Sequence, residues 1–289
     1  MKKSLLLLFA AVFLAFALSG CIESAVSNVA SMTAKHGEQL KDAAHEFTPE
    51  EEAAIGRAVG ARIITKYHAL DDPAANSYVN QLGQALAMRG AGPVPQGYHF
   101  LILNSPEVNA FAAPGGLIFV TTGMLRLMSD ESELAAVLAH EITHVQNRDA
   151  IAAIQSSRKT SATTGLFTDA AFSFAPMPGS GFVNLFSGAI DDVFNSLVVK
   201  GYSHGQEFAA DAGAKTVLSA GGYDPRALES VLQAMSQQVS PGSAGFGSTH
   251  PSAKDRLAKI GASGAPVARD TGVRAERFQA ALGKYVAAK

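Results

Sequence analysis

The chain has 289 residues, a formal net charge of −2 and no tryptophan. Its charges form no basic cluster, which argues against nucleic acid as a partner. A single cysteine excludes an internal disulfide, and the length suits one domain with a sizeable core.

The N-terminus starts with basic Met1-Lys2-Lys3, followed by an uninterrupted apolar run from Leu5 to Leu18. That run is short for a membrane span and has the length of a signal-peptide core. It ends in Leu18-Ser19-Gly20-Cys21, which looks like a bacterial lipoprotein cleavage box. Residues 1–20 are therefore expected to be a signal peptide, with Cys21 lipidated. Acylation would consume a thiol that is otherwise a liability in an oxidising compartment. Several acyl chains hold a protein on a membrane, whereas one binds only marginally. Ile22, in place of the Asp that retains many lipoproteins at the inner membrane, favours the outer membrane, with the chain on its periplasmic face. Residues 21–46 are small and polar, and read as a tether. The folded domain is expected over 47–289.

Thr48-Pro49-Glu50-Glu51 is a capping box that starts a helix running to about Tyr67. Asp72-Pro73 starts a second helix, ending near Gly90. Tyr98 to Leu103 is rich in strand formers. Val108–Ala112 and Leu117–Thr121 read as a hairpin around Pro114-Gly115-Gly116, giving a small antiparallel sheet. Asn109, Ala110 and Phe111 have two readings from the residues alone. They form an ordinary hairpin strand, or an edge strand that binds an extended polypeptide by strand addition.

Asp130 and Glu133 form a further capping signal, followed by Leu134, Val137, Leu138, Ile142 and Val145 at helical spacing. Within this helix lies His140-Glu141-Ile142-Thr143-His144. The four-residue spacing puts both imidazoles on one face, able to grip one ion. Glu141 can reach a water at the open position of a catalytic zinc and act as general base. Such a site needs a third protein ligand, and Glu207 is the best candidate. Asp211, four residues on, can accept the free ring N–H of a ligand histidine. His204, three residues before Glu207, is an alternative ligand. Residues 170–190 carry no charge but contain Pro176, Pro178 and three glycines, which disfavours a membrane span. An apolar lid or plug over the cleft, able to touch the bilayer, is expected there, with a plain core segment as the alternative. Gly221-Gly222 ends the second metal helix, Asp224-Pro225 starts another, Ser240–Gly247 is a loop, and Pro251–Ile260 is a short helix. His36, His45, His68 and His99 belong to no motif.

Four separated motifs occur in order: Ser105-Pro106-Glu107-Val108-Asn109-Ala110-Phe111-Ala112-Ala113-Pro114-Gly115-Gly116, then His140–His144, then Tyr202-Ser203 with Glu207 and Asp211, then Thr249-His250-Pro251 with Arg256. Over roughly residues 47–260 this resembles the HtpX-like and CaaX-prenyl-protease-type zinc metallopeptidases, which are gluzincins, in a periplasmic lipoprotein branch. The resemblance implies a mainly helical, zincin-like α+β domain whose small antiparallel sheet lines the active-site cleft with an edge strand. It implies one zinc per chain on His140, His144 and Glu207, with Glu141 as base. It favours substrate binding by Asn109, Ala110 and Phe111. His250 is expected to hold the developing oxyanion, or to sit on zinc's open position at rest. Many members of the family carry Arg where this chain has His204.

The expected activity is a metalloendopeptidase of the bacterial cell envelope acting on unfolded or misassembled proteins. Polypeptide substrates, a membrane reached through the lipid anchor and outer-membrane assembly components are the expected partners. A chaperone-like lipoprotein that holds clients without cutting is the alternative. A peptidoglycan amidase is a further rival, which the motif order argues against.

Overall fold

The computed structural model describes residues 45–168, 190–239, 245–261 and 268–286. The leader, Cys21, the tether up to residue 44 and the expected lid over 170–189 lie outside these residues. The chain divides into two compact units, one of residues 47–154 with 181–289 and one of residues 1–46 with 155–180. In the latter, Gln155 donates to the His45 carbonyl at 3.4 Å. The elements that follow belong to the former, except the C-terminal part of α5.

Helix α1, Pro49–Tyr67, opens with the expected capping box between Thr48 and Glu51. Helix α2, Pro73–Gly90, is capped by Asp72, whose carboxylate accepts the Ala75 N–H. Strands β1 (His99–Leu103), β2 (Ala110–Ala113) and β3 (Leu117–Thr121) form one sheet, with a 3-10 turn at Pro114–Gly116 inside the hairpin. The turn needs glycine, since Gly115 and Gly116 have φ of 75° and 91°.

The strand order is β1-β3-β2. β2 and β3 pair antiparallel, as the hairpin requires, but β1 and β3 pair parallel. The sheet is therefore mixed, which corrects the expectation of a purely antiparallel one. The physical reason is a double reversal of the chain. After β1 it crosses over to the far edge, returns along β2, and turns again into β3 between them. That leaves β2 at an edge.

The sheet has a core on each face, as the period of two along a strand demands. Phe100, Ile102, Ala110, Ala112, Ile118 and Val120 face one core, with α2 and the helices α4 (Glu131–Gln146), α6 (His204–Gly221), α7 (Ala227–Gln238) and α10 (Val273–Leu282). Leu103, Phe111, Ala113 and Phe119 face the other, with α1, the start of α5 (Asp149–Thr168) and Val193, Leu197 and Val198. The short helix α3 is Thr122–Leu125 and a π-type turn spans Ser196–Lys200. Near the C-terminal end, α8 (Phe246–Thr249) and α9 (Ala253–Ile260) flank His250. Ser252, not Pro251, caps α9, accepting the Asp255 N–H at 3.1 Å. Among the described residues no helix is long and apolar enough to cross a membrane.

Candidate metal centre

Helix α4 is buried along almost its whole length, from Glu131 to His144. Asp130 caps it by accepting the Glu133 N–H at 3.0 Å, while Glu133 reaches back to the Ser129 N–H at 2.6 Å. Helix α6 starts with a full capping box of Ser203 and Gln206. The two helices approach closely at Gly213, where a Cβ would lie 2.3 Å from Thr143 Cγ2. This contact brings the His-Glu helix and the Glu207 helix side by side.

The result is a cluster of His140, His144, Glu207 and His250, each offering one donor atom, all within 4.8 Å of one another. His140 Nε2 and His144 Nε2 are 3.1 Å apart. Glu207 Oε2 lies 3.5 Å from His140 Nε2, and Oε1 lies 3.6 Å from both His144 Nε2 and His250 Nε2. Tetrahedral donors with bonds of about 2 Å sit roughly 3.3 Å apart, so the spacing suits one zinc. Both Glu207 oxygens are buried without a hydrogen-bond partner among the described residues. Such a carboxylate is costly unless a cation meets it, and this observation supports the fit. Burial alone would raise the Glu207 pKa, but His250, His140 and His144 outweigh it and hold it at about 2.

Each imidazole on α4 is oriented from behind. Asp211 lies 3.1 Å from His140 Nδ1, and Asp149 lies 2.7 Å from His144 Nδ1. A proton on Nδ1 in each case leaves Nε2 free to bind an ion. Arg256, which is 1% exposed, clamps Asp211 through Nε at 2.9 Å and through Nη2. Asp149 is held in turn by Gln206 Nε2 at 3.0 Å.

Glu141 is buried next to the cluster, and its Oε1 has no hydrogen-bond partner. Burial raises its pKa, opposed by His140 and His144 and supported by Glu207. His250 stacks on Phe246 at 3.7 Å and 3°. Its Nδ1 lies 2.9 Å from Thr249 Oγ1. Burial lowers its pKa to about 3, so it is neutral at ordinary pH.

Asn109, Ala110 and Phe111 are all buried. The Asn109 side chain is turned to local partners, accepting the Ala110 N–H at 2.9 Å and donating to Glu107 at 3.3 Å. Ala112 O accepts weakly from the Tyr202 hydroxyl at 3.5 Å. Ala110, Phe111, Ala112, Glu141, Tyr202 and His250 all line a cavity of only about 10 Å³. That space is about one water. His204 is exposed at the start of α6, its ring 6.1 Å from Phe208, outside the donor cluster.

Motif spacing does not reveal Asp149 or the placement of Tyr202. Asp149 follows the end of α4 and is brought back by Arg148, whose φ is 54°. Tyr202 packs its ring 4.5 Å from the His144 ring.

Two imidazoles and a carboxylate at one point, beside a buried glutamate, form the donor set of a single-metal hydrolase. The profile of peptidase family M48 matches residues 73–263, more than half of the chain. The chain belongs to peptidase family M48, whose members are zinc-dependent. It is 30% identical over 191 residues to a beta-barrel assembly-enhancing protease of Yersinia pestis, covering 65% of this chain and 38% of that protein. It is 29% identical over 231 residues to a protease HtpX homologue of Janthinobacterium, covering 70% of this chain and 76% of that protein. It is 30% identical over 206 residues to a mitochondrial metalloendopeptidase of Schizosaccharomyces pombe, covering 70% and 55%. The chain thus spans about two fifths of the length of the assembly-enhancing protease.

Proposed function

We propose that the chain is a zinc metalloendopeptidase of the bacterial cell envelope. The observation that carries this is the buried convergence of His140, His144 and Glu207 beside Glu141, whose Oε1 has no hydrogen-bond partner among the described residues. His140, His144 and Glu207 would hold the zinc, which supplies Lewis acidity when bound. Glu141 takes a proton from the attacking water and passes it to the leaving amine. His250 donates from Nε2 to the developing oxyanion, provided that the Thr249 hydroxyl donates to its Nδ1. If Thr249 instead donates to the Gly245 carbonyl, 3.1 Å away, Nδ1 carries the proton and Nε2 becomes a fourth donor. Asp211 and Asp149 fix the tautomers of the two α4 imidazoles.

The substrate is an extended polypeptide paired with the outer edge of β2. It would take the Ala110 N–H from Asn109 and the Ala112 carbonyl from Tyr202. Main-chain pairing tolerates many sequences, as a peptidase of unfolded or misassembled envelope proteins requires. The relatives named beta-barrel assembly-enhancing protease support an envelope role alongside outer-membrane assembly. Cys21 would anchor the chain to the periplasmic face of the outer membrane. Mass spectrometry should find an acylated N-terminal Cys21, and an unmodified Cys21 within an intact leader would refute the anchor.

The test of the activity is casein hydrolysis by the full chain. Chelation should abolish it and stoichiometric zinc should restore it. Hydrolysis that persists after complete metal removal would reject the reading.

A further inference from the structure

A second cavity lies beside the end of β2. Ala112 lines the small cavity beside Glu141 and His250, and it also lines a cleft of about 330 Å³ to which His144 contributes. That cleft is walled by Phe47, Val94, Val145, Ile151 and the turn after Ala113. We propose that it is a substrate subsite, taking one bulky apolar side chain from a residue N-terminal to the bond that is cut. The proposal rests on the peptidase reading above.

Three observations lead to it. First, the cleft adjoins the proposed path of the substrate backbone, because Ala112 lines both cavities and His144, a member of the donor cluster, lines the cleft. Second, the walls are mostly apolar, with Gln96, Gln146 and His144 as uncharged polar groups, of which Gln146 is already bonded to Gly92 and Tyr98. Pro93, Pro95 and Pro114 line the cleft and offer no backbone N–H. The charged groups there, Glu52 and Arg148, are paired with each other. They leave no unbalanced charge to select a charged side chain. Third, the size lies at the low end for ligand pockets, enough for one Leu or Phe side chain.

The direction of the chain follows from β2. A strand added antiparallel, the commoner pairing, runs from the Ala113 end toward the Ala110 end. Its carbonyl under attack lies near Glu141, by Ala110–Ala112. The residue reaching the cleft by Ala113–Gly115 therefore precedes that carbonyl in the substrate, by no more than about two or three residues at roughly 3.4 Å each.

The experiment reads binding separately from turnover. Zinc-loaded Glu141→Gln full chain is titrated with fluorescent Ala/Gly-rich decapeptides that carry Phe, Leu or Gly at one central position. Phe and Leu peptides should bind roughly tenfold tighter than the Gly peptide. Val94→Phe and Val94→Trp in the same background should reduce that preference progressively, and Val94→Ala should retain it. Melting curves identify any variant that fails to fold. Equal affinities for the three peptides in the parent protein overturn the subsite, as does a preference unchanged in folded Val94→Phe. Cleavage sites mapped in casein should be enriched in apolar residues at one position N-terminal to the cut. Enrichment only on the C-terminal side overturns the proposed direction. A clear Phe-over-Gly preference without casein cleavage by wild type defeats the peptidase reading and, with it, the assignment of the cleft to a residue N-terminal to a cut bond, leaving an apolar peptide-binding cleft.

Discussion

At the residue scale the centre depends on proton positions as much as on donor spacing. His140 and His144 turn Nε2 to the cluster while Nδ1 of each faces a carboxylate, with Arg256 Nη2 also 3.2 Å from His140 Nδ1. His250 has no carboxylate behind it, and the Thr249 hydroxyl decides which nitrogen carries its proton. This gives His250→Ala two distinct outcomes. Loss of turnover with zinc retained, on the order of 10²–10³-fold, marks an oxyanion donor. A rise in turnover marks a resting ligand that blocks the site. Steady-state hydrolysis with zinc analysis separates them, and unchanged activity removes His250 from the site. The donor residues are legible in the sequence because His140/His144 and Glu207/Asp211 obey helical spacing. Asp149 is not, because it follows a left-handed turn at Arg148 that no periodicity reports.

At the element scale the centre depends on the contact between α4 and α6. Gly213 permits it, since any Cβ there meets the Thr143 methyl. Gly213→Ala gains up to about 1 kcal/mol of helix propensity. Against that, overpacking costs about 1–3 kcal/mol. The expected net result is destabilisation, seen as a lower Tm and weaker zinc binding. Thr143→Ser removes the opposing methyl and should rescue Gly213→Ala in part. A Gly213→Ala protein as stable as wild type would contradict this account of the helix pair. The helix starts at Thr48, Asp72 and Asp130 are readable because capping is a local effect. The parallel pairing of β1 with β3 is not, because it depends on where the crossover places β3. Helix α10 also escapes the motif reading. Its buried face is small, with Phe278 and Leu282, amid Arg274, Glu276 and Arg277.

At the scale of the whole molecule, α10 ties the C-terminal segment to the start of the metal helix. Glu131, fully buried, accepts from Tyr223 at 2.6 Å, from Tyr78 at 2.8 Å and from Arg277. Ser132 adds bonds to Asp270 at 2.8 and 2.9 Å. Burial pushes the Glu131 pKa up, but Arg277 and the two tyrosines outweigh it, so the net shift is downward from 4.5. A depressed carboxyl contributes stability in full above its unfolded value. That contribution is lost as pH falls through the folded value. Glu131→Gln should therefore cost about 1.5–3 kcal/mol at pH 7. Arg277 is half-exposed, which keeps the cost toward the lower end. The gap in Tm between wild type and variant should narrow as pH falls below 4.5. An equal gap at pH 7 and pH 3.5 would show that shape, not charge, holds the segment.

The most direct measurement of the central claim compares wild-type and Glu141→Gln protein, each loaded with zinc, in casein hydrolysis. The amide keeps the size of the side chain but cannot accept the proton from water. The account predicts about one zinc per chain in both proteins. It also predicts equal melting behaviour, with hydrolysis in wild type alone. Hydrolysis by zinc-loaded Glu141→Gln at the wild-type rate would contradict it.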